Sequence, residues 1–153
     1  MTLAPYQTLR DHEFLAGLAS SQIEELASLA TEVEFAENEV VLTDGQRSAS
    51  FYLLLAGSVV VELRTQRFVA VVESLGPGQI FGWSSLLDHQ DTLFQVRARE
   101  RTSALRIDGT ALRQLCKSEP ALGAELLLRT LQVVAGRVKA TEIRFAEMCG
   151  VRM

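Results

Sequence analysis

Two cysteines, two histidines and a single tryptophan are spread over 153 residues, and no stretch is rich in lysine or arginine. Each scarcity closes off a class of function. Cys116 and Cys149 lack the spacing of a metal or redox motif, so reduced thiols in a cytoplasmic protein are expected. A metal or haem centre takes several ligands at set spacing; His12 and His89 do not supply them. Neither a metal site nor a cofactor is expected, and both histidines are placed at the surface. Asp44, Asp88 and Asp91 form no carboxylate pair suited to acid–base work, so the chain is not expected to be an enzyme. Fifteen basic against nineteen acidic residues leave a net charge of −4. A nucleic-acid surface needs a basic stripe to neutralise phosphates, so direct DNA binding is not expected. No apolar run approaches the ~20 residues of a membrane span, and Met1 to Arg10 lacks the basic start and apolar centre of a leader.

What is present is an ordinary globular mixture, 48% apolar and 22% charged, long enough for one compact domain with a real core. Ser21-Gln22-Ile23-Glu24 has the form of a capping box. Ile23, Leu26, Ala27, Leu29 and Ala30 then line one face of a helix of about ten residues, with Phe14-Leu15 and Leu18 packed beneath it.

From Thr31 the character changes. Short β-rich pieces recur at Val33–Phe35, Val40–Thr43, Phe51–Leu55, Ser58–Leu63, Phe68–Leu75, Leu93–Ala98 and Thr102–Ile107. Asp44-Gly45, Ala56-Gly57 and Arg64 to Arg67 mark turns between them. Many short strands at even spacing predict a jelly-roll barrel, here over about 31–108. Gly76-Pro77-Gly78 predicts a sharp turn, and Gly82 opens a short helical turn from Trp83 to Leu87 whose outward amides suit an anion.

After Asp108, a plausible cap, the chain reads as helical over about 109–148. Pro120 starts a long last helix, Pro being at home in a first turn. Leu127, Leu131, Val134, Val138, Thr141, Phe145 and Met148 follow a heptad seam, and Leu122, Leu126 and Val133 make a second line. Two stripes predict two partners: the barrel for one, a second copy of the chain for the other. A homodimer is expected.

Taken in order, Phe14-Leu15-x-Gly17-Leu18, Asp44-Gly45, Phe51-Tyr52-Leu53-Leu54-Leu55-x-Gly57-x-Val59, Gly76-Pro77-Gly78-x-Ile80-Phe81-Gly82, Val96-x-Ala98 and Pro120 resemble the cyclic-nucleotide-binding domains of Crp/Fnr-type regulators. The resemblance runs from about Phe14 to Met148 and implies a single regulatory domain over about 10–150. It also implies a phosphate-binding cassette comprising Phe81, Gly82, Trp83, Ser84, Ser85, Thr92 and Leu93. In the family's usual form a Glu follows Phe-Gly and binds the ribose, and an Arg-Ser/Thr-Ala binds the cyclic phosphate. Those places hold Trp83, Thr92 and Leu93 here. Removing one partner of a buried charged contact costs about 2–5 kcal/mol, so losing both anchors implies cAMP or cGMP affinity lower by a few orders of magnitude.

The expectation is therefore a non-catalytic regulatory or ligand-sensing module with a retuned pocket. A true cyclic-nucleotide-binding regulator and a truncated transcription factor stay open as alternatives. The helix-turn-helix domain of full-length relatives would follow the long helix, where only Cys149 to Met153 stand. No DNA-binding domain and no membrane partner are expected. A cupin-type enzyme would share the jelly roll but needs a His-rich metal site. An iron–sulfur sensor needs a cysteine cluster that the N-terminus lacks. In relatives the long helix meets the ligand's base near Arg137 and Thr141, so the resemblance allows ligand contact there beside the default of seam or surface packing. Arg97 and Arg99 alternate with Val96 and Ala98 and are expected to face solvent, as are Arg101 and Arg106.

Overall fold

A computed structural model describes residues 4–46, 48–87 and 94–150. Thr92, Leu93, His89, Asp88 and Asp91, with the expected strand start at Leu93, lie outside the described residues. The chain divides into two compact units, Met1–Leu115 and Cys116–Met153.

The first unit begins with α1 (Ala4–Asp11), a 3-10 turn at Glu13–Leu15 and α2 (Ser20–Ala27). Eight strands follow: β1 (Ala30–Phe35), β2 (Val40–Leu42), β3 (Ser50–Ala56), β4 (Val59–Arg64), β5 (Val69–Leu75), β6 (Ile80–Phe81), β7 (Gln95–Ala98) and β8 (Thr102–Asp108). They form two four-stranded sheets, ordered β1-β8-β3-β6 and β2-β7-β4-β5, with antiparallel pairing throughout. This is the expected jelly roll. Tyr52, Leu54 and Phe81 from one sheet meet Val59, Val61 and Val96 from the other in a single core.

β3 explains why its sequence shows no alternation. Tyr52 and Leu54 enter that core, while Phe51, on the opposite face of the strand, receives the ring of Phe14 at 5.9 Å. A strand covered on both sides reads as a continuous apolar run. The turns fall where expected: Gly45 and Gly57 have φ of 75° and 84°, and the β4–β5 tip closes with the Thr65 amide donating to Phe68 O at 2.9 Å.

Two helical details differ from the sequence reading. α2 starts one residue before the expected box, with Ala19 as its N-cap. Alanine has no acceptor to offer, so only half of a box forms: the Ala19 amide donates to Gln22 Oε1 at 3.0 Å. The helix also ends sooner, and Ala30 opens β1 instead of continuing the helical face. Asp108 caps as expected, its Oδ2 accepting from the Ala111 amide at 3.0 Å at the start of α3 (Gly109–Ser118).

The second unit is dominated by α4 (Pro120–Met148), 29 residues and so roughly 44 Å long. A side chain at Gly123 would come within 2.4 Å of Cys116 O, so the backbones meet there with no room to spare. Along α4 the two apolar lines part ways. Leu122 and Leu126 are buried, whereas Leu127, Leu131, Val138, Phe145 and Met148 are exposed.

Candidate functional site

The site is built from β3 outward. The Leu54 amide donates to Gln79 O at 2.9 Å, and Leu54 O accepts from the Gly78 amide at 3.2 Å. These two bonds clip the Gly76–Gln79 turn to the strand. Pro77 fixes one corner of that turn and Gly78, at φ 87°, supplies the left-handed one. β6 then pairs Phe81 with Tyr52 and Ile80 with Leu53. The Phe81 and Tyr52 rings stack at 4.6 Å and 6° from parallel, and Phe35 meets Tyr52 edge-on at 6.0 Å. Burial holds the Tyr52 phenol above its ordinary range, with Arg106 acting in the opposite sense.

Gly82 follows at φ 76°, where a Cβ would lie 2.4 Å from Ser50 O. It opens the 3-10 turn Trp83–Leu86, one residue shorter than expected. Ser85 is turned inward: its amide and hydroxyl both donate to Gly82 O, at 3.0 and 2.7 Å. Trp83 and Ser84 are half-buried. Arg113 Nη1 reaches from α3 toward the carbonyls of Ser85 and Leu87, at 3.4 and 3.5 Å. Phe81, Gly82, Trp83, Ser84 and Ser85 are thus brought together as one corner.

Beside this corner lies a cavity of about 190 Å³ that sequence reasoning missed, lined in part by Leu42, Thr43, Gln46, Ser48, Ser50 and Tyr52. Ser48 carries the link between the two, since its Oγ lies 3.5 Å from where a Gly82 Cβ would be. The only advance signal was the density of small polar residues between β2 and β3, which reads equally well as a loop.

Two expectations need correction. Arg97 does not simply face solvent. Its Nε and Nη2 grip Glu62 Oε1 and Oε2 at 3.0 and 2.9 Å, and its Nη1 donates to Asn38 Oδ1 at 2.8 Å. Gln95 adds a bond to Glu62 Oε1 at 3.1 Å. Strand pairing sets this up, because Glu62 lies opposite Gln95 in the β4–β7 register. The bonds from Arg97 hold the Glu62 carboxyl below its usual range although the residue is only 3% exposed. Arg99, Arg101 and Arg106 are exposed, and Arg101 pairs with Glu34 at 2.8 Å.

His12 is the second correction. It is 5% exposed, not a surface residue, and its ring bonds to Leu54 O and to the Phe14 amide. In the second unit, Thr141 is exposed and its hydroxyl donates to Arg137 O at 2.9 Å. Burial raises the Cys116 thiol above its ordinary value, which keeps it protonated. Among the described residues no group of three or more His, Cys, Asp or Glu could hold a metal ion, and no helix is long and apolar enough to cross a membrane.

An antiparallel jelly roll of eight strands, a glycine-opened turn at one corner and a long C-terminal helix define a regulatory domain of the kind found in Crp/Fnr-type regulators. The chain belongs to the cyclic nucleotide-binding domain family, whose sequence profile matches residues 32–119. It is similar to the HTH-type transcriptional regulator Cmr of Mycobacterium tuberculosis, at 29% identity over 88% of this chain and 54% of that one. The potassium channel AKT6 of Arabidopsis thaliana is 29% identical over 70% of this chain and 12% of its own length. Among solved structures, a cyclic-nucleotide-binding-type protein of Geobacter metallireducens superposes with a TM-score of 0.78 at 28% identity, covering 90% of this chain and 99% of that one. The chain therefore spans about half of the regulator and a small part of the channel.

Proposed function

We propose that this chain is a non-catalytic, ligand-sensing regulatory module of cytoplasmic proteins, and that its pocket no longer favours cAMP or cGMP. One observation carries the reading: the turn after Gly82 opens on Trp83, where the family's form has the ribose-binding carboxylate. The neighbouring Ser85 hydroxyl is committed to Gly82 O and is not turned outward. The stacked Tyr52 and Phe81 rings behind it favour apolar filling over a charged clamp. The hydroxyl-lined cavity beside the corner suits a small, polar, uncharged ligand better than a phosphate, because none of its described lining residues is charged. A ligand there would act by favouring one arrangement of the module over another.

The module works as a homodimer through the exposed seam of α4. Long apolar side chains that stay on the surface at heptad spacing are what a second helix would cover.

A thermal-shift and calorimetric screen tests the ligand reading, since a ligand that binds the native state raises Tm. cAMP and cGMP should give no saturable binding at micromolar concentration. Replacing Trp83→Glu, Thr92→Arg and Leu93→Ser together should restore it by a few orders of magnitude. Tight binding of a cyclic purine monophosphate by the unaltered chain would overturn the proposal.

A further inference from the structure

His12 sits at the break between α1 and the 3-10 turn, and its two ring nitrogens have opposite duties. Nδ1 lies 3.2 Å from the Phe14 amide, which can only donate, so Nδ1 must be an acceptor without a proton. Nε2 lies 2.8 Å from Leu54 O, which can only accept, so Nε2 carries the proton. The neutral ring fits both partners. A second proton would set Nδ1–H against the Phe14 N–H and break the cap.

The acceptor on β3 is a shared one. Leu54 O also takes the Gly78 amide at 3.2 Å, in the turn that runs directly into Ile80, Phe81 and Gly82. Glu13, next to His12, lies against the same glycine: a Cβ on Gly78 would meet its Oε2 at 2.6 Å. One imidazole therefore joins the N-terminal helical segment, the central strand and the entry to the site.

We infer that His12 is a proton-operated latch: neutral, it caps Phe14 and clips the N-terminal segment to β3 beside the Gly76–Gln79 turn; protonated, it loses the Phe14 cap and leaves a charge in a buried site, and the segment loosens. Burial lowers the ring's value below that of a free histidine and outweighs both the bond to Leu54 O and the charge of Glu13, each of which favours the protonated form. β3 brings only Tyr52 as an ionisable side chain and the turn brings none. α2 and β1, which pack on α1, carry Glu24, Glu25, Glu32 and Glu34, and α1 itself carries Tyr6, Arg10 and Asp11. The sign follows from linkage. The unfolded histidine binds its proton first, so the latch is fully present above pH ~6.5 and is lost as pH falls below that value toward the folded one.

Amide hydrogen exchange on the full chain tests this. Between about pH 7.5 and about pH 5.5, protection factors at Phe14 and Gly78 should fall by up to tenfold per pH unit below pH ~6.5. Those at Val60 and Leu105, in the sheets, should stay constant. His12→Asn keeps an acceptor for Phe14 but cannot titrate, so its Phe14 and Gly78 amides should lose the pH dependence. Constant protection in the unaltered chain, an equal fall at Val60, or a pH dependence kept by the variant would each overturn the latch. Should the variant not fold, ring nitrogen chemical shifts of the unaltered protein decide. A proton on Nε2 that is joined by a second only below pH ~6.5 supports the inference; a proton on Nδ1 in the neutral form overturns it.

Discussion

The barrel core and the seam side of α4 treat their large apolar residues in opposite ways. In the first, Leu54, Val59, Leu105 and Phe81 are at most 1% exposed, each covered from within the same chain. In the second, Leu131, Phe145 and Met148 stand 61%, 67% and 85% exposed along one side of α4. Scattered exposed leucines are normal on any protein, but a row of them at heptad spacing is not. The contrast separates two kinds of pressure on the sequence. The barrel's core is closed by folding alone, while the α4 seam stays open to solvent, as do Phe68, Val69 and Val71 at the β4–β5 hairpin.

The contrast can be broken most severely from the barrel side. Phe81→Ala should cost about 3–5 kcal/mol, a loss readable by urea unfolding, because it empties a closed site and unstacks Tyr52. Glu62→Ala comes next. It strands Arg97 beside Gln95 and should cost on the order of 2–3 kcal/mol, less than a fully buried pair because Arg97 is partly solvated. The same carboxylate gives a pH signature. Its folded value lies below the ordinary one, so its stabilisation is present above the unfolded value near pH 4.5 and is lost as pH falls. Glu62→Gln should therefore flatten the acid limb of a Tm-versus-pH curve relative to the unaltered chain. Asp108→Ala removes the cap of α3 and should cost about 1 kcal/mol. The smallest effect on stability is expected where the large hydrophobic side chains are most exposed. Leu131→Glu with Phe145→Glu should leave the unfolding free energy of the β unit within about 0.5 kcal/mol, as for other surface substitutions. Light scattering should nonetheless show the proposed dimer reduced to monomers. A monomeric unaltered chain would remove the reason for reading the seam as an interface.

Much of this architecture is legible in the residues. The strands announce themselves because Gly45, Gly57 and Gly78 punctuate β-branched and aromatic runs at short intervals, and each glycine has the positive φ its turn requires. The two stripes of α4 differ in burial at Leu122 and Leu126 against Leu127 and Leu131, while Val133 and Val134 are both half-buried. What stays hidden is non-local. His12 reads as a surface histidine because the Leu54 carbonyl that holds it lies 42 residues away. Arg97 reads as solvent-facing because strand alternation says nothing about Glu62, which reaches it across the β4–β7 pairing. α1 is only eight residues long with few apolar side chains, and Leu9 is its buried anchor. At the site, Phe81, Gly82 and Trp83 were legible from the Gly-Pro-Gly turn. The cavity walls were not, since Thr43, Ser48 and Ser50 look like any loop until two strand ends bring them together.

Gly82 has a consequence for how such domains are recognised. Its left-handed backbone and the Ser50 carbonyl pressed against its missing Cβ are demands of the chain's own path between β6 and the next turn. Any side chain there would push the strand ends apart whether or not a ligand ever arrived. The glycine of this Phe-Gly pair is thus fixed by the path of the backbone, independently of what binds beside it.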